Sequence, residues 1–241
     1  MINYIRADLQ RIFAKKSLYI TFGILAIGYI VMLVTNGVTS GGKIFNEAGT
    51  IFMLVALCGG GYLFATLYTD DLTAKTLPAL IGFGMKRRTI LIAKLCMNIL
   101  LTFLLCGGTF LLLYATLSLV GFEMTSEALG SLLRMSVVRF LQLVAFGSIA
   151  SVLVYGTQKA TFSIVTFILL VTALLSWLVK KFLGMAVISG LFGDLSQYLI
   201  DPLIEGLVAA PKVATALPYV LYLAVFVLLS IVAFRKKELE F

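Results

Sequence analysis

Residues 68–95 read YTDDLTAKTLPALIGFGMKRRTILIAKL, the interval in the first half of the chain where charge gathers between two long apolar runs. It opens with Asp70 and Asp71, breaks at Gly82 and Gly84, and closes on Lys86, Arg87 and Arg88 before apolar residues resume. Read as a helix over Asp70–Gly82, it sets Thr73, Leu77, Leu80 and Ile81 on one face by i, i+3/i+4 and i+7 spacing. The two acids stand where a helix N-terminus favours negative charge. A short amphipathic helix lying across a membrane surface is the form this pattern predicts, with the flanking runs crossing the bilayer on either side.

Composition leads the same way. Hydrophobic residues make up 61% of the 241 and charged residues only 12%, against roughly a quarter charged in a soluble domain. The mean hydropathy is +1.08. A net charge of +8 does not point to nucleic acid, because the basic residues stand in short groups beside apolar runs and make no basic face on a soluble domain. Cys58, Cys96 and Cys106 all lie in apolar segments without metal-ligand spacing, as packing thiols do.

Working outward, Met1–Lys16 places Ile2, Ile5, Leu9, Ile12 and Phe13 on one helical face and Arg6, Arg11 and Lys15 on another, the pattern of an interfacial helix. It lacks the early apolar core and small-residue cleavage site of a signal peptide. Six runs near 17–35, 49–68, 89–119, 132–156, 160–179 and 216–234 are long enough to cross about 30 Å of hydrocarbon. Of the 19 Lys and Arg residues, 13 fall in the N-terminal segment, the 69–94 loop, Lys159 and the C-terminal tail. The positive-inside rule therefore puts both termini and that loop in the cytoplasm. Lys180 and Lys181 are read on the outer side, since the run 182–192 after them is too short to cross. Residues 182–217, with Pro202, Pro211, Asp194, Asp201 and Glu205 among short apolar runs, predict a re-entrant or interfacial pair of short helices, or else a plain surface loop. The single domain 1–241 is thus expected to be an all-α membrane protein with six transmembrane helices, an N-terminal amphipathic elbow helix over 1–16, and both termini cytoplasmic.

The 68–95 stretch resembles the loop between the second and third spans of ABC type-2 permeases, the membrane subunits of one class of ATP-binding-cassette exporter. Asp71 stands at that family's acidic position, Thr76 at its Thr, Leu77, Leu80 and Ile81 in its Leu-rich turn, Arg87 at its Arg and Lys94 at its Lys. Lys75 replaces the family's Gly, and Gly84 its Pro. The resemblance implies that residues 69–88 form a coupling loop whose helix touches an ATPase through Asp70, Asp71, Thr73, Thr76, Leu77, Leu80 and Ile81. Lys86, Arg87, Arg88 and Lys94 are expected to hold the segment at anionic head groups. It further implies a separate ABC ATPase subunit carrying ATP and Mg, no cofactor on this chain, and pairing with a second copy or a paralogous permease.

Absences narrow the chemistry. There is no histidine, and no GxxxxGK[ST] phosphate loop, so His-based metal sites, Ser-His or Cys-His pairs and an intrinsic ATPase are not expected. The Asp and Glu residues fall in loops or at ends of the runs, and Arg139, about two turns into the fourth, is expected to snorkel outward in a structural role. The clusters Gly59-Gly60-Gly61 and Gly107-Gly108 predict close helix packing, with a hinge or the wall of a substrate path as the alternative. The expected function is that of a permease subunit in the cell membrane, a bacterial plasma membrane, which catalyses no reaction itself and exports a hydrophobic or amphipathic peptide, lipid or drug. The alternative is a non-transporting multi-pass protein, an immunity factor or membrane anchor. A secondary transporter would show acids at the midplane or paired broken helices, and neither is evident.

Overall fold

The computed structural model describes residues 2–35, 41–73, 76–183 and 195–236. Among these residues there is no strand. Helix α1 (Ile2–Phe13) lies apart from α2 (Lys16–Thr35), the two joined by the Ala14-Lys15 elbow. A short α3 (Gly41–Asn46) leads into α4 (Ala48–Leu72), whose course includes two π-helical turns, Ala56–Gly60 and Ala65–Thr69. The single helical turn Asp70–Thr73 overlaps its end. Then come α5 (Thr76–Gly82), α6 (Arg87–Leu119), α7 (Ser126–Thr157), α8 (Ala160–Val171), α9 (Leu174–Leu183), a 3-10 turn at Leu195–Tyr198, α10 (Ile200–Ala209) and α11 (Val213–Lys236).

Five of these, α2, α4, α6, α7 and α11, are long and apolar enough to cross a membrane, and α8 with α9 makes a sixth if the bent pair counts as one span. The bend corrects the expectation of a continuous run over 160–179. The axis turns by 73° at Thr172-Ala173, where Ala173 takes a left-handed φ of 56°. Alone, the 12 residues of α8 reach only about 18 Å. Neither glycine nor proline marks the break, so nothing in the local sequence announces it.

Helices α6 and α7 run antiparallel through the centre. Ser136 Oγ donates to the Cys106 carbonyl at 3.2 Å, and a Cβ on Gly147 would come within 2.6 Å of Asn98 Nδ2. Helix α11 runs parallel to α7. The hydroxyl of Tyr219 donates to the Leu141 carbonyl at 2.9 Å, the Ser151 and Ser230 hydroxyls pair at 2.9 Å, and the rings of Tyr155 and Phe234 lie 4.7 Å apart. Phe64 stacks on Phe167 at 4.7 Å, which ties α4 to α8. A smaller apolar cluster of Ile51, Phe52, Leu113 and Leu132 closes the far end.

The two glycine clusters part company. A Cβ on Gly59 would meet Leu105 at 3.0 Å and one on Gly60 would meet Leu143 at 3.0 Å, so these two do permit close approach. Nothing lies within 4 Å of a Cβ placed on Gly61, Gly107 or Gly108, and close packing does not account for them. Residues 184–194 of the expected outer segment, Asp194 included, lie outside the described residues. In the described part, α10 packs against α7 and α11 with Ile200 and Ile204 buried.

Candidate functional site

Four charged side chains meet where α1, the end of α4 and the start of α6 converge. On α1, Asp8 and Arg11 are one turn apart, and Asp8 sits among Ile5, Leu9 and Ile12 on the face that packs inward. Asp71 comes from the helical turn that ends α4, and Lys94 from about 10 Å into α6. Lys94 Nζ is 2.5 Å from Asp8 Oδ2 and 2.5 Å from Asp71 Oδ2. The Arg11 guanidinium lies 2.6 Å from Asp8 Oδ1 and 2.9 Å from Asp71 Oδ1. Each carboxylate therefore bridges both cations in a closed, neutral ring.

The ring is deep. Side-chain exposure is 1% for Lys94, 5% for Asp71 and 6% for Asp8, while Arg11 at 33% keeps one edge toward the surface. The Lys94 approach to Asp71 Oδ2 is off the line of a hydrogen bond and acts as an ion pair, whereas that to Asp8 is hydrogen-bonded. Burial draws the Arg11 pKa down, but the carboxylates of Asp71 and Asp8 outweigh it and the net shift is upward. The Tyr4 ring faces Lys94 Nζ at 5.8 Å. Its phenol is pushed well above the ordinary range, first by burial and then by Asp71 and Asp8. A second pair, Lys15 with Asp70, is about a third exposed and closes the rim. The four charges balance, while Arg11 Nε and Nη2, Asp71 Oδ2 and the Tyr4 hydroxyl are buried without a hydrogen bond, and the ring joins three elements.

The residues expected to touch a partner are not all on one surface. Asp70 is paired with Lys15 of the elbow, and Asp71 with Arg11 of α1 and Lys94 of α6. Thr76 is half-buried, its hydroxyl 3.4 Å from the Asp71 carbonyl. Leu77 is 3% exposed and belongs to the core, with Leu80 and Ile81 half-buried against it. The Thr73 side chain lies outside what is described. Among the described side chains, the outer side of α5 presents Ala79 and Gly82, followed by Phe83, which is 87% exposed. Gly84, at φ 84°, closes the helix with Gly84 N donating to the Ile81 carbonyl and Met85 N to the Leu80 carbonyl, the paired bonds of a left-handed helix terminus. That turn presents Phe83 on a fixed backbone.

Among the residues expected at head groups, Lys86 and Arg88 are exposed. Arg87 instead donates to the Phe234 carbonyl at 2.6 Å with its guanidinium 5.5 Å above the Phe234 ring, so it caps the C-terminal turn of α11. Lys94 is buried in the ring, away from any surface. Together these contacts gather α1, the 69–88 loop and the last turn of α11 at one end of the bundle.

Sequence reasoning missed Asp8 as a partner, although an acid on the apolar face of an amphipathic helix was a usable signal. Arg139 takes a structural role, as expected of it. It donates to Gln142 Oε1 at 3.0 Å, and Gln142 Nε2 donates to Asp201 Oδ1 at 2.8 Å, linking the middle of α7 to α10. No protein-family model, curated protein or solved structure matches this chain.

Proposed function

We propose that the chain is the permease subunit of an ATP-driven exporter, a multi-pass protein with six spans, both termini in the cytoplasm, and the bent α8–α9 pair as its fifth crossing. The observation that carries this reading is the joint around the charge ring. A force applied to the 69–88 loop reaches α1 through Asp71 and Arg11, α6 through Lys94, and α11 through Arg87. Helix α5 is then the lever that an ATPase would push, and two ATPases closing on ATP and Mg would move the spans through it. The 13 Lys and Arg residues in the N-terminal segment, the 69–94 loop, Lys159 and the C-terminal tail support the cytoplasmic placement. Within this reading the contact surface shifts from Leu77 to Ala79, Gly82 and Phe83. Pairing with a second copy or a paralogue would complete a path for hydrophobic or amphipathic cargo in the plasma membrane.

A second reading is favoured by a specific observation. Asp71, Lys94 and Leu77 are all consumed inside the fold, as they would be in a non-transporting immunity factor or membrane anchor whose loop is merely pinned. Phe83→Asp decides between them. In an exporter it abolishes copurification of an ATPase and substrate-stimulated hydrolysis in liposomes while abundance stays normal. In a pinned, non-transporting protein no ATPase copurifies with the wild type at all.

A further inference from the structure

Helix α2 stands off the bundle. Leu18 is its one buried residue, and between it and helices α4 and α6 runs an apolar slot of about 270 Å³, lined by Leu18, Phe22 and Tyr29 of α2, Val55 of α4, and Leu105 and Gly108 of α6. Hydrogen bonds hold α2 over the slot at both ends, Ser17 with Tyr62 at 2.7 Å and Tyr29 with Thr116 at 2.5 Å. From Leu18 to Tyr29 the helix rises about 16 Å, half of the roughly 30 Å hydrocarbon thickness of a bilayer. The slot is therefore one leaflet long.

Gly108 adds room along the slot. It lines the slot, its φ is not left-handed, and a Cβ there would meet nothing within 4 Å. Neither backbone conformation nor helix packing requires this glycine, and what its missing side chain leaves is space. At the end of the slot nearer the charge ring, Phe13 and Leu18 form the lining, and Lys16, between them in sequence, is exposed.

We propose that this slot binds one acyl chain of an anionic phospholipid from the surrounding bilayer, the chain lying along α2 and past Gly108 with the head group at Lys16. An apolar slot opening to lipid fills with hydrocarbon, and an exposed cation in the first turn of α2, two residues before the lining Leu18, favours an anionic head group. The site does not rest on the permease reading, since a lipid held here would wedge α2 from α4 and α6 in a transporter or an anchor alike.

The test uses the full chain in vesicles containing phosphatidylglycerol with a photoactivatable diazirine on its acyl chain, and adducts are mapped by mass spectrometry. Adducts are expected to concentrate on the facing sides of α2, α4 and α6. Gly108→Phe should reduce them by about tenfold, the ratio a loss of 1.4 kcal/mol gives. Gly107→Phe, one residue round the same helix, outside the lining and likewise with nothing within 4 Å of an added Cβ, should leave them within about twofold. A phosphatidylcholine probe should label the slot less, and Lys16→Ala should erase that preference. Wild-type adducts spread evenly over exposed faces such as Ile24 and Leu111 would overturn the site without any variant. So would slot labelling unchanged by Gly108→Phe, or a cross-link from the slot to a second copy. Equal labelling by the two lipids would overturn the head-group assignment.

Discussion

At the scale of residues, the charge ring makes partners unequal. Removing Lys94 leaves two buried carboxylates with one cation, a change that costs about 3–5 kcal/mol when a buried pair loses one member. Lys15 and Asp70 are about a third exposed, and such a pair contributes about 1 kcal/mol or less. Lys94→Met is therefore expected to lower the unfolding midpoint in detergent far more than Lys15→Met, and equal losses would mean that the ring is solvated. Leu77→Asp, which puts a carboxylate into the core, should cut the amount of folded protein; normal abundance would return Leu77 to an outer surface. The positions of Asp71, Leu77 and Lys94 could be picked out in the sequence, but their roles could not. Asp8 lies 86 residues from Lys94, and only the packing of α1 on α6 reveals that the two meet.

Among the elements, the long apolar helices were readable because about 20 apolar residues in a row have few other uses, and α1 because its two faces differ. The bend between α8 and α9 was not. It rests on Ala173 in a left-handed conformation, which costs a residue with a Cβ about 1–2 kcal/mol. Ala173→Gly is accordingly expected to raise the unfolding midpoint by an amount equivalent to about 1 kcal/mol, checked by thermal melts in detergent. A lowered midpoint would place the cause of the bend elsewhere. Prolines near α10 signalled a break in the outer segment, yet the hydrogen-bonded chain Arg139–Gln142–Asp201 depends on how α10 settles against α7, which local patterning does not encode. The same holds for Gly59 and Gly108, alike in sequence, one facing a neighbouring side chain and the other an open slot.

For the whole molecule, the gathering of α1, the 69–88 loop and the end of α11 at one pole gives the topology a direct check. In a cysteine-free background, Lys86→Cys should react with an impermeant thiol reagent only from the cytoplasmic side and Glu205→Cys only from outside. Both reacting from one side would require a different number of crossings between them. The central claim is that this pole is a lever worked by a separate ATPase, with Phe83 at its tip. The most direct measurement isolates the chain from its own cells under gentle detergent, identifies what accompanies it, and repeats the isolation with Phe83→Asp. The account predicts an ATPase with a phosphate-binding loop in stoichiometric amount with the wild type and its loss from the variant at unchanged yield of the chain. An ATPase retained in full by Phe83→Asp, or none found with the wild type, would contradict it.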